Sequence, residues 1–223
     1  MHRAVLALLL VSTAASGASK QLAAAFNAAF GKGESVTLKK QGQLKEDVKY
    51  TPGDLYQAPF GPVLLSPGEV VKAAHVNSGK LAIVYLKPSA KGFEVVKKFV
   101  PAAETGSFGK IVDWSVSKSF GEHPVVSVNG AGNWQGRACS TTTLVELTPE
   151  GPRQLVTVPL TYDDSQAGNG KPTQITGTID NIQPGRSFEV AYFGFGSKDF
   201  KERYVRKGDT YVLASGKSKM QTC

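Results

Sequence analysis

The fold is decided by residues 123–164, HPVVSVNGAGNWQGRACSTTTLVELTPEGPRQLVTVPLTYDD. Residues 140–147 are rich in β-branched side chains, and residues 155–162 alternate with a period of two, which is typical of a strand with one buried face. The larger side chains of that alternation are Val156, Val158, Leu160 and Tyr162. Residues 148–152 contain the proline and glycine that turns favour, so this stretch predicts a β-hairpin with a short loop.

Strand signals continue on both sides of this hairpin. Residues 81–86 are apolar at every position, which predicts a central strand covered on both faces. Further strand-like runs lie at 93–100, 111–116, 174–182, 188–195, 204–205 and 211–213. With roughly nine to eleven strands, the sequence predicts an all-β fold of mainly antiparallel sheets, arranged as a sandwich or as propeller-blade-like units.

The propeller alternative depends on an internal repeat. Residues 85–88 and 146–149 both place a proline-bearing turn between two strand signals, an order that is similar to propeller blades. The chain is long enough for about three blades of this kind, and a closed ring needs at least four. The repeat therefore implies an open ring or is accidental.

The N-terminal part of the chain differs in character from the rest. Leu22, Phe26 and Phe30 recur at intervals of four, which predicts one short helix that Gly31 can end. Residues 50–67 carry four prolines, so we expect an extended, packed connection without long regular elements. The predicted organisation is a signal peptide at 1–18, a helix with a proline-rich packed segment at 19–69, and an antiparallel β domain at 70–223.

The first residues have the order of features that export signals need. His2 and Arg3 are followed by an apolar run at 4–11 and by the small residues 16–18. We therefore predict cleavage after residue 18 and export to the periplasm or the extracellular space. No later apolar run approaches the ~20 residues of a membrane span.

The chain is basic, with 26 Lys and Arg against 18 Asp and Glu and a formal net charge of +8. Loss of Arg3 with the signal peptide would remove one of these positive charges. A positive net charge favours association with anionic partners, here an anionic envelope polymer or an acidic protein, and we do not expect nucleic acid. The alternative is that the charge serves solubility alone.

Cys139 and Cys223 are the two cysteines of the chain. An even number of cysteines in an exported protein predicts a disulfide, which would tie the C-terminus back to the central hairpin. Two free thiols or an intermolecular bridge are the alternatives.

We find no motif that predicts catalysis, a metal or a cofactor. His75 and His123 are far apart and lack zinc-ligand spacing, and the nucleophile elbow of serine hydrolases is missing from the sequence. The glycine pairs at 130 and 132 and at 194 and 196 are better explained as bulges or tight turns than as phosphate loops. Asp163 and Asp164, followed by Asn169, form the most metal-like cluster, but loops favour the same residues.

Two features could recognise a ligand. Five cations surround Phe200 and Tyr204, a combination that suits polyanions; they are Lys198, Lys201, Arg203, Arg206 and Lys207. Basic residues also protect strand edges from aggregation, which is the alternative role. Trp134, between two amide side chains, could stack on a sugar ring, or it could be a core or edge-covering aromatic residue.

The sequence therefore predicts an exported, soluble, β-rich protein that binds a macromolecule and is not an enzyme. A secreted hydrolase acting on polysaccharide or cell wall, with carboxylates from separate strands as acid and base, is the alternative. A third hypothesis is a structural or inhibitory accessory protein that forms a complex with one enzyme.

Overall fold

The computed structural model describes residues 13–168, 170–221 and 223, with side chains from residue 19 onward. Residues 1–12 of the predicted signal peptide lie outside the described residues. The predicted helix is present as α1, Thr13–Phe30, and it begins earlier than the apolar spacing indicated. It ends as predicted at Gly31, whose positive φ of 99° and hydrogen bond to Asn27 O terminate the helix. No helix among the described residues has the length and hydrophobicity to cross a membrane.

Fourteen strands form two antiparallel sheets, and the all-β prediction is confirmed. Sheet 1 contains β1 Val36–Leu38, β2 Val48–Tyr50, β3 Asp54–Ala58, β4 Gly61–Val70, β5 Gly79–Ser89 and β6 Gly92–Thr105. Its order is β1-β2-β4-β5-β6, and β3 pairs with β4 beside β2. The described residues therefore form sheets larger than the four-stranded blades of a propeller.

Sheet 2 is a meander in which each strand pairs with the next along the chain. It contains β7 Asp113–Ser117, β8 Val125–Trp134, β9 Arg137–Thr148, β10 Gly151–Asp163, β11 Gln174–Gln183, β12 Ser187–Phe195, β13 Phe200–Lys207 and β14 Thr210–Leu213. The predicted central hairpin is β9 and β10, in which Thr148 pairs with Gly151 across a two-residue turn. The proposed division into domains at residue 70 stays a prediction.

The alternation predicted for β10 is interrupted by two register shifts, one of them between Gln154 and Val156. A bulge adds one residue to a strand and changes the face of the residues beside it. As a result Leu155, which strict alternation places on the opposite face, joins Val158 and Tyr162 in the core.

The chain packs in three layers: α1, sheet 1 and sheet 2. On β5 the odd-numbered residues from Leu81 to Tyr85 face sheet 2, and the even-numbered residues from Ala82 to Leu86 belong to the core beneath α1. All of them are buried, which confirms the predicted central strand. Burial on both faces explains why this strand has no polar alternation.

Sheet 2 curls into a half-barrel whose interior is filled by side chains. Phe188 stacks on Tyr204 with ring centroids 4.9 Å apart. The C-terminal segment crosses this interior: Met220 is buried there, and Ser218 Oγ donates to Glu202 Oε1 at 2.8 Å. The chain then reaches β9, where the predicted disulfide between Cys139 and Cys223 is present.

The expectation for residues 50–67 is wrong, because β3 and the ten-residue β4 lie there. Pro67 is tolerated inside β4 for a geometric reason. The carbonyl of Pro67 accepts a hydrogen bond from Thr51 N at 3.1 Å, so it points to the edge of β4 that carries β2 and β3. The nitrogen of the same residue points to that edge too, and there Pro67 is paired with neither strand. A proline costs a sheet hydrogen bond only where the ladder needs an N–H donor.

Candidate ligand-binding surface

Exposed aromatic side chains collect at one end of sheet 2, which we call the rim. Successive turns of a meander alternate between the two ends of a sheet, so the β8–β9, β10–β11 and β12–β13 connections lie at the same end. The rim carries Phe108, Trp134, Phe193 and Phe195, with exposed fractions of 54%, 44%, 50% and 62%. Large apolar side chains exposed together are typical of interaction surfaces.

Three rings from separate parts of the chain form what we call the aromatic cluster. His75 lies 4.1 Å from Trp134 and 4.5 Å from Phe108, measured between ring centroids. Its Nε2 donates to the carbonyl of Asn133. Ser107 Oγ also donates to Ala131 O at 3.2 Å, so the β6–β7 connection is bound to β8 beside the cluster. The two exposed rings are therefore held by contacts with neighbouring segments.

The sequence of β8 explains this arrangement. Val126 and Val128 pack against sheet 1, and the next two residues on that face are Gly130 and Gly132. A Cβ at Gly130 would lie 2.2 Å from Gly106 N, so only glycine lets the incoming backbone rest directly on the strand. Trp134 follows as the first large side chain on this face.

This finding corrects the expectation of bulges or tight turns for Gly130 and Gly132, because both lie inside β8. Gly130 marks a close approach of two backbones, and Gly132 faces the side chain of Ser107. Of the second pair, Gly196 lies in the β12–β13 connection with a φ of 75°, as predicted for a turn, whereas Gly194 lies within β12 and pairs with Ile175. The tip of the β8–β9 hairpin is a two-residue turn in which Gln135 and Gly136 both have positive φ, as type I′ turns require.

A groove of about 430 Å³ runs beside the aromatic cluster. Phe108, Val112, Gly132 and Ser140 are among the residues that line it, together with the disulfide residue Cys139. Cys139 therefore forms part of the groove wall, and its disulfide with Cys223 connects the C-terminus to the rim.

The residues of the predicted basic patch do not share one surface in the structure. Tyr204 is buried, and burial raises its pKa to about 12, so it is a neutral core residue and is unable to stack on a surface ligand. Lys201 and Arg203 lie on the outer face of β13, where Lys201 Nζ is 3.5 Å from Glu189 Oε2. Lys198 lies at the rim, and Lys207 lies at the opposite end of the sheet.

Arg206 belongs to an ion-pair network. Its Nη2 lies 3.3 Å from Oε2 of the buried Glu146, and Arg153 Nη2 approaches the same oxygen at 2.7 Å. Arg153 also pairs with Asp209 of the β13–β14 turn. These contacts join β13 to β9 and β10 across the curl. The hydrogen bond from Arg153 to Glu146 and the nearby carboxylates raise the pKa of the guanidinium.

Replacing Arg206 with alanine is therefore expected to destabilise the fold. The lost charge-assisted hydrogen bond to a buried carboxylate should lower the free energy of unfolding by about 1–2 kcal/mol. Lys207→Ala, one residue away and exposed, should change it by less than about 0.5 kcal/mol. Urea denaturation of both variants compares the two; equal stabilities would contradict a structural role for Arg206.

The carboxylates of the metal-like cluster, Asp163 and Asp164, accept hydrogen bonds from their own loop. Asp163 Oδ1 accepts from Ser165 N at 2.8 Å, and Asp164 Oδ1 accepts from Thr173 N at 2.6 Å. The bond from the Ser165 amide also lowers the pKa of Asp163. Asn169 lies outside the described residues. These contacts are typical of carboxylates that shape a turn.

Sequence reasoning singled out Trp134 but missed its two neighbours. The sequence patterns assign no binding role to His75 or Phe108. The three residues lie on β8, on the β4–β5 connection and on the β6–β7 connection, so no local spacing relates them. The glycine pair Gly130 and Gly132 was the available signal that another segment lies beside Trp134, because glycines in a strand let a second backbone cross it.

Comparisons with protein family models, curated proteins and solved structures found no match for this chain.

Proposed function

We propose that this protein is an exported binding protein without enzymatic activity, and that it uses the aromatic cluster to hold its ligand. One observation carries this proposal. Trp134 and Phe108 are about half exposed, yet His75 lies between them and contacts both rings. Aromatic rings that are exposed and already ordered lose little conformational entropy on binding, which favours affinity.

The proposed ligand is an anionic polymer of the cell envelope that contains sugar rings. The flat indole of Trp134 can pack against the apolar face of a sugar, and the neighbouring amides of Asn133 and Gln135 can bind hydroxyl groups. Arg137 begins β9 at the rim, Lys171 lies on the β10–β11 connection, and both can meet acidic groups. An acidic protein is the alternative partner.

Trp134→Ala is expected to weaken binding to an acidic polysaccharide by about tenfold or more, because stacking on an aromatic ring contributes about 1–3 kcal/mol. Retention on immobilised alginate, with neutral dextran as reference, measures this loss. Val96→Ala is the control, since it removes an exposed apolar side chain from β6, away from the rim.

Equal retention of Trp134→Ala and the parent protein, or equal retention on alginate and dextran, would contradict the proposal. Size-exclusion analysis of alginate after incubation tests the hydrolase alternative: polymer that becomes shorter identifies an enzyme. The proposed export is tested by intact mass of the protein recovered from outside the cytoplasm, which should begin at Ser19.

A further inference from the structure

A second concavity of about 310 Å³ lies between the two sheets, and we call it the inter-sheet cleft. Its floor is Pro67 and Gly68 of β4, and Thr51 lies on one side. The opposite side is formed by residues 110–112 and Trp114. The volume lies at the lower end of the range of about 300–1,000 Å³ that small-molecule sites occupy in proteins.

Trp114 is held in place as one wall of this cleft. Its Nε1 donates to Asp54 Oδ2 at 2.8 Å. The ring edge lies against Gly53, where an added Cβ would come within 2.9 Å of Trp114 Cζ2. Glycine at 53 therefore leaves room for the indole, whose half-buried ring faces the cleft in a fixed position.

The charges around the cleft favour an anion. Lys49 is exposed at the cleft and makes no ion pair within the part of the chain that the structure describes. Lys110 Nζ lies 3.1 Å from Glu69 Oε1, but more than half of each side chain is exposed. Exposed pairs contribute little to stability, so Lys110 can turn to a ligand at small cost.

The inter-sheet cleft adjoins the groove at the rim. Lys110, Ile111 and Val112 line both of them. Trp114 on β7 pairs with Val128 on β8. Trp134 lies six residues after Val128 on β8, so the two indoles are separated by roughly 20 Å along the strand. A polymer chain bound at Trp134 could therefore extend along the groove to Trp114.

We infer that the inter-sheet cleft binds one acidic sugar residue, and that it is a second subsite for the polymer of the proposed function, on which this inference rests. The sugar ring packs against Trp114 and Pro67. Its carboxylate meets Lys49 and Lys110, and the hydroxyl of Thr51 and the carboxylate of Glu69 are placed to bind ring hydroxyls.

The experiment uses the fact that the chain has two tryptophans. In Trp134→Phe, the remaining indole is Trp114, and its fluorescence reports on the inter-sheet cleft alone. Titration with glucuronate should change this emission with saturation, whereas glucose, which lacks the carboxylate, should leave it unchanged.

Adding Lys49→Gln to the Trp134→Phe protein should weaken glucuronate binding about tenfold, because a charge-assisted hydrogen bond is lost. Lys91→Gln is the matched control, since it removes an exposed lysine from the β5–β6 turn, outside the cleft lining. Three results would overturn the inference: no saturable change in Trp114 emission, an equal response to glucose, or unaltered affinity after Lys49→Gln.

The two proposals fail separately. Retention on alginate that depends on Trp134, together with a Trp114 signal that glucuronate leaves unchanged, overturns the second subsite and keeps the proposed function. A specific response of Trp114 to glucuronate without retention on alginate supports a small-molecule site in the cleft and overturns the polymer-binding function.

Discussion

Replacing both Cys139 and Cys223 with serine is expected to lower the free energy of unfolding by about 4 kcal/mol. The disulfide joins residues 84 positions apart, and a cross-link over so long a loop removes much conformational entropy from the unfolded chain. Single domains are typically stable by about 5–15 kcal/mol, so this loss is a large part of the total.

Guanidinium denaturation of the parent protein and the double serine variant measures the difference. Reductant should bring the parent protein to the stability of the variant and should leave the variant unchanged. A difference below about 1 kcal/mol would show that contacts such as those of Ser218 with Glu202 hold the C-terminal segment without the covalent link.

Gly130→Ala is expected to destabilise the protein by about 3 kcal/mol. The new Cβ would lie 2.2 Å from Gly106 N and 2.3 Å from Thr105 Oγ1, and the nearest of these is a backbone atom that a side-chain rotation cannot move. The β6–β7 connection would have to lift from β8. Because that connection carries Phe108, retention on alginate should fall as well.

Gly121→Ala is the matched control for this substitution. The nearest atom to a Cβ at position 121 is Gly185 N at 3.7 Å, an ordinary van der Waals distance. Thermal unfolding of the two variants compares them directly. A Gly130→Ala protein as stable as Gly121→Ala would mean that the two backbones can separate at little cost, and that the aromatic cluster does not depend on their contact.

Patterns within single segments predicted much of the architecture. The turn between β9 and β10, the two-sided burial of β5 and the end of α1 at Gly31 all follow from neighbouring residues. Strand alternation and turn conformation are local properties, because they depend on φ, ψ and the side chains of a few adjacent positions. The disulfide followed from the count of two cysteines.

Local patterns failed where the neighbouring layer decides the outcome. The prolines of β4 argued against a strand, but Pro67 points its nitrogen to a side of the sheet where no partner needs a donor. The cations and rings of β13 suggested one surface patch, yet alternation sends Tyr204 into the core and Arg206 to Glu146.

The sequence by itself determined the class of the fold and its central hairpin, since these depend on local conformation. It also limited an internal cross-link to a single possible cysteine pair. Only the tertiary structure decided which rings share a surface. His75, Phe108 and Trp134 meet because a glycine-bearing strand lets another backbone cross it, and such a contact depends on packing between layers that no local spacing encodes.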